Sequence, residues 1–169
     1  IPLTKEYQIK NDAIGKVLIK ICVKNRKKNE IFIADSSQKK GASKVRISLL
    51  RAEGILAADK GGTSDPYAVA ELIDSATGKP VKPACKTKTK TIKKTLNPVW
   101  NADEVEWTGI TGDAASLALK VTIFDADMMS SEVLGGVTIP LKTLNELPVE
   151  VSSKLGRVAK MKTDATGKI

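Results

Sequence analysis

Apolar and polar side chains alternate with a period of two along most of the chain, which predicts strands rather than helices. Val17, Ile19, Ile21 and Val23 alternate with Lys16, Leu18, Lys20, Cys22 and Lys24, a half-buried strand. Val45, Ile47 and Leu49 begin a second, with Arg46, Ser48 and Leu50 on the opposite face, and Tyr67 to Ile73 forms a third. From Cys85 onward lysine and threonine alternate, so Lys86, Lys88 and Lys90 share one face of an extended chain and Thr87, Thr89 and Thr91 the other. Asn97-Pro98-Val99-Trp100-Asn101 is a turn into a strand that packs Val105 and Trp107, with Trp100 as an anchor of the interior. Leu117 to Phe124 and Gly135 to Leu141 are two further strands, and Arg157 to Met161 reads as the last. Shorter pieces are Tyr7 to Lys10, ending in a turn at Asn11 to Gly15, and Ile31 to Ile33. Leu141 to Val151 holds one helical turn or an irregular link. No segment has a sustained helical period, so the fold class is all-β, a sandwich of about eight strands.

Size and composition narrow this picture. The 169 residues suffice for one domain of ordinary size plus an extra segment. No run of about eighteen apolar residues offers a membrane span, and the start at Ile1 rather than methionine points to a piece of a longer protein. Cys22 and Cys85 are the only cysteines, which favours a reducing compartment with both thiols free. Histidine is absent, so serine-histidine-aspartate and cysteine-histidine chemistry are excluded, and no nucleophile-base pair or phosphate loop is visible. The chain reads as no enzyme.

Charge is unevenly spread. Residues 1 to 44 carry eleven Lys/Arg against four Asp/Glu, and residues 45 to 169 carry seventeen against fifteen. Lys82 to Lys94 holds six lysines and no acid, which suggests a polyanionic partner unless the lysines simply solvate and protect a strand edge. A nucleic-acid partner is not expected, because only six aromatics exist and single-strand binders stack bases on several.

Four aspartates stand in two loops. Asp59 and Asp65 flank the glycine turn of Leu56 to Tyr67, and Asp125 and Asp127 follow the strand ending at Phe124. If the fold brings the loops together, an all-oxygen donor set results, which suits calcium. Aspartates as ordinary solvated turn formers are the plain alternative.

Three pieces in this order resemble a C2 domain: Asp59 through Gly61-Gly62-Thr63-Ser64-Asp65-Pro66-Tyr67; Lys88-Thr89-Lys90-Thr91-Ile92 leading to Leu96-Asn97-Pro98-Val99-Trp100-Asn101; and Asp125-Ala126-Asp127 ending at Leu134-Gly135. The resemblance implies an eight-stranded antiparallel Greek-key β-sandwich whose loops at one end bind Ca2+ and then phospholipid headgroups. Carried over by position, Asp59, Asp65, Asp125 and Asp127 are calcium ligands. Glu132 takes the final acidic position on a loop one residue shorter than the commonest form, and Ser130 or Ser131 supplies an additional oxygen. Lys60, Met128 and Met129 occupy loop tips that face lipid. Lys86, Lys88, Lys90, Lys93 and Lys94 with Tyr67 form an anionic-lipid patch, and Phe124 stands where a tryptophan is frequent. Val69 and Glu71 replace the two lysines usual on the neighbouring strand, so general attraction to an anionic membrane is implied rather than selective phosphoinositide recognition.

The expected organisation is a linker or tail of a preceding domain over 1–15, a C2 domain over 16–162, and a linker or start of a following domain over 163–169. Within the domain the core is 45–162, the N-terminal first strand 16–24 belongs to the same sandwich, and 25–43 is a long hinge through which a strand-swapped dimer could form. Gln8 to Val17 and Lys160 to Ile169 share lysine, aspartate, alanine, glycine and lysine at one offset, as units of a tandem array would. The function implied is calcium-dependent binding to anionic phospholipid membranes, as a targeting module of a larger vesicle-trafficking or exocytosis protein at the cytosolic face of a membrane. The alternative is a calcium-independent scaffold domain with a protein partner.

Overall fold

The computed structural model describes residues 5–7, 15–24, 43–110, 114–128, 130–144 and 149–157. Among them nine strands form two sheets: β1 (Lys5–Tyr7), β2 (Lys16–Lys24), β3 (Ser43–Glu53), β4 (Pro66–Asp74), β5 (Lys86–Lys88), β6 (Val105–Ile110), β7 (Leu117–Ala126), β8 (Ser131–Pro140) and β9 (Val149–Lys154). One sheet has the order β1-β9-β2-β3-β6 and the other β5-β4-β7-β8. The fold is the expected all-β sandwich, its strands antiparallel except that β1 lies parallel along β9.

β2 lies between β9 and β3 in the same sandwich as the body, the topology preferred from sequence. Its alternation holds: Val17, Ile19 and Ile21 are fully buried, while Lys16 and Lys20 are exposed. Gly15 makes the entry to this strand possible. Its φ is +106°, and a Cβ there would lie 2.6 Å from the Glu53 carbonyl oxygen, so only glycine lets the two chains approach. From the facing sheet Ala68, Ala70, Leu72, Leu119, Val121, Ile123 and Ile139 complete the core.

Three expectations shift. Among the described residues the last strand is Val149–Lys154, beginning inside the stretch expected to be a link; Arg157 lies past it, and residues 158–161 of the expected strand Arg157 to Met161 lie outside the described residues. The inward positions of β9 are Val151 and Ser153, followed by buried Leu155, and the serine interrupts the apolar pattern that would have revealed it. The second acidic loop is tighter than Asp125 to Glu132, because Ala126 pairs with Ser131 and Asp125 with Glu132, leaving only Asp127 to Ser130 to turn. β5 ends at Lys88: Thr89 is still buried, but Thr91 is exposed, so the two-faced alternation stops short of it. Leu141–Thr143 forms a 3-10 turn, as one of the two readings of that link had it. Ile31 to Ile33, the hinge over 25–42, the side chain of Cys22 and the echo at 160–169 lie outside the described residues. Cys85 is a buried free thiol whose burial pushes its pKa up, as suits packing rather than reactivity.

Ser153 also gives a prediction. It is fully buried, and among the described residues its hydroxyl has no hydrogen-bond partner. An unsatisfied buried hydroxyl costs desolvation with no return, so Ser153→Ala is expected to stabilise the domain by about 1 kcal/mol. Thermal unfolding should move up by roughly 2–4 °C. A lower midpoint would mean that the hydroxyl has found a partner.

Candidate metal centre and lysine face

The first acidic loop is shaped by residues that carry no charge. Ser64 is fully buried; its hydroxyl accepts from the Ala58 amide at 2.9 Å and donates to the Leu56 carbonyl at 2.8 Å, pinning both sides of the loop. Gly62, at φ +75°, donates to the Asp59 carbonyl, and the Asp59 amide donates to the Thr63 carbonyl, each at 3.0 Å. In this turn the Asp59 carboxylate is half-buried, and its Oδ2 accepts from the Thr63 hydroxyl at 3.5 Å. The sequence reading did not single out Ser64; its place in Thr63-Ser64-Asp65-Pro66 was the only signal.

The two acidic loops are tied by one bond between backbones and one from a backbone amide to a carboxylate. The Asp65 amide donates to Asp125 Oδ1, and the Ala126 amide donates to the Asp65 carbonyl at 3.0 Å. Carboxylate oxygens of Asp59, Asp125 and Asp127 all lie within 4.8 Å of one another. Asp125 is buried, Asp59 half-buried and Asp127 exposed, so the group opens to solvent on one side. Burial pushes the Asp125 carboxyl above the usual carboxylate range. The Asp65 amide opposes this, and the Asp59, Asp127 and Asp65 carboxylates push the same way as burial.

Two other acidic positions stand apart from that group of three. Asp65 Oδ1 accepts from the backbone amide of Lys94 at 2.8 Å. Lys94 adopts the left-handed region, φ +53°, to present that amide. Glu132 is on β8 directly opposite Asp125, half-buried, rather than on a loop. Ser131 Oγ accepts from the Tyr67 hydroxyl at 2.9 Å, and the exposed Ser130 accepts the Asp127 amide through its carbonyl at 3.0 Å. Met128 projects fully into solvent at the tip and Lys60 is exposed on the first loop, while Met129 lies outside the described residues.

The lysine run lies along the other side of β4. Lys86, Lys88, Lys90, Lys93 and Lys94 are all exposed. Lys88 Nζ sits 3.7 Å from the centroid of the Tyr67 ring, which stacks on Phe124 at 5.2 Å. A cation over an aromatic face is held by the ring quadrupole, so Tyr67 fixes where this lysine stands. Trp100 is buried, its indole N–H donating to the Pro66 carbonyl at 3.4 Å.

Carboxylate oxygens gathered without imidazole or thiolate are a donor set for a hard cation that tolerates an irregular oxygen shell, and the residues present fit calcium. Burial is the main cause of the raised Asp125 carboxyl, and the neighbouring carboxylates add repulsion that such a cation would relieve.

Comparison with known proteins agrees with this architecture. The family described as C2 domain matches residues 43–155. Rabphilin-1 of Caenorhabditis elegans is 41% identical over 104 residues, 61% of this chain and 9% of that protein. Synaptotagmin-3 of Arabidopsis thaliana is 39% identical over 120 residues, 69% of this chain and 20% of its own length. The chain therefore spans a small part of these relatives. Among solved structures, a C2 domain of RIM from Drosophila superposes with a TM-score of 0.59 at 21% identity, covering 86% of this chain and 100% of that one, a likeness of fold.

Proposed function

We propose that this chain, which belongs to the C2 domain family, is a calcium-dependent anchor to anionic phospholipid membranes within a larger protein of vesicle traffic or exocytosis. C2 domains are binding modules. The observation that carries the reading is the meeting of Asp59, Asp125 and Asp127 within 4.8 Å from loops that lie far apart in sequence.

These three would hold the ion, and Asp65, whose amide donates to Asp125, and Glu132, opposite Asp125 on β8, are the further acids beside them. Bound calcium supplies positive charge and open coordination positions for phosphate oxygens. The chain's own residues do the rest. Ser64 and the paired backbones of Asp65 and Ala126 keep the two loops in register. Met128 offers an apolar side chain to the interface, and the lysine face adds attraction of about 1 kcal/mol per residue near an anionic leaflet. Among the described residues no helix is long and apolar enough to cross a membrane.

Asp65 turned toward Lys94 and Glu132 outside the tight group favour a second reading, a C2 scaffold that binds a protein partner without calcium. Co-sedimentation with phosphatidylserine vesicles, in calcium and in chelator, separates the two. Pelleting only in calcium, lost in Asp127→Asn, supports the membrane anchor. Equal behaviour in both buffers, with no heat on titrating calcium into the lipid-free domain, would overturn it in favour of the scaffold.

A further inference from the structure

The outer face of β5, β4 and β7 is organised in rows fixed by register. In one row Lys86 stands opposite Glu71, and Glu71 opposite Lys120. In the next Lys88 faces Val69 and Val69 faces Thr122, and beyond it Tyr67 faces Phe124. Side chains directly opposed across antiparallel strands have Cβ atoms roughly 4.5–5.5 Å apart and share a face. Glu71 is the sole carboxylate in these rows, half-buried between two exposed lysines.

We infer that Glu71 is a specificity-determining residue: a fixed counter-charge that splits the lysine face and keeps it too weak to hold an anionic lipid surface without calcium. This rests on the reading of that face as lipid-facing. Without Glu71, Lys86, Lys88 and Lys120 would present an uninterrupted positive surface, attractive to an anionic leaflet at any calcium level. With it, the central row alternates in sign, and the potential that an approaching leaflet meets is reduced within a Debye length. The deciding step is thereby left to the acidic loops at the end of the sandwich. Glu71 points away from the core formed by its neighbours Ala70 and Leu72, so replacing it changes charge and leaves the packing intact.

The test measures binding in chelator to vesicles of phosphatidylserine and phosphatidylcholine, with phosphatidylcholine alone as reference. Glu71→Gln raises the local charge by one and should strengthen binding about fivefold; Glu71→Lys raises it by two and should strengthen it roughly twenty-five-fold. Glu150→Lys is the control, because Glu150 also faces a lysine, Lys20, but on the other sheet. The inference stands if the Glu71 variants gain binding to phosphatidylserine vesicles and Glu150→Lys does not. It falls if Glu71→Lys gains nothing, or if Glu150→Lys gains as much and total charge is the cause. Melting curves and the milder Glu71→Gln guard against loss of binding through three lysines in a row. Should wild type ignore calcium while Glu71→Lys binds in chelator, the calcium reading fails, and Glu71 stands as the counter-charge that weakens the lysine face.

Discussion

Asp125→Asn is expected to weaken the proposed calcium binding severely and to make the calcium-free domain more stable. Asp125 is buried, faces the carboxylates of Asp59 and Asp127, and is pushed toward the neutral form by that environment. An asparagine keeps the oxygen that accepts the Asp65 amide and removes the charge. Loss of a central charged ligand should weaken calcium by on the order of a hundredfold or more, which calorimetric titration reads directly. In chelator the same variant should melt higher by roughly 2–4 °C, the signature of about 1 kcal/mol gained by no longer burying a charge beside other carboxylates. In calcium the order should reverse, since a ligand at about 100 times its dissociation constant stabilises the folded state by about 2.7 kcal/mol, a gain that only wild type is expected to keep. Unchanged calcium heat in the variant would show that these aspartates are not the metal site.

Trp100→Ala is the second change with a large expected cost. The ring is buried in the core, and its indole N–H reaches the Pro66 carbonyl next to Asp65. Its backbone amide donates to the Leu50 carbonyl at 2.8 Å, holding the segment after the lysine run against β3. Emptying that volume should cost about 3–5 kcal/mol, seen as a lower urea midpoint with an unchanged slope. Trp100→Phe fills most of the space and loses the hydrogen bond, so about 1 kcal/mol is expected. A Trp100→Ala domain as stable as wild type would mean that the pocket collapses at no cost, contrary to the packing seen.

Strands were legible where one face is apolar without interruption. Val17, Ile19 and Ile21 on β2, and Leu117, Leu119, Val121 and Ile123 on β7, follow the period that was read from them. Reading failed where a small polar side chain faces inward, as Ser153 does on β9 and Ser64 does in the first acidic loop. A serine contributes no apolar signal, and what makes it fit is a cavity or a carbonyl supplied by distant residues.

The sequence established the fold class, because the period-two pattern fixes which face each side chain takes whatever its partner strand. It also fixed the chemistry on offer: aspartates without histidine, and a lysine face without acids in its own segment. The tertiary structure decided which of these groups meet. It brought Asp59, Asp125 and Asp127 within 4.8 Å, turned Asp65 toward the Lys94 amide, put Glu132 on a strand, and set Glu71 between Lys86 and Lys120. These encounters depend on the register between strands far apart in the chain. Register is chosen by burial and hydrogen-bond closure summed over whole sheets, a quantity that no local stretch of residues contains.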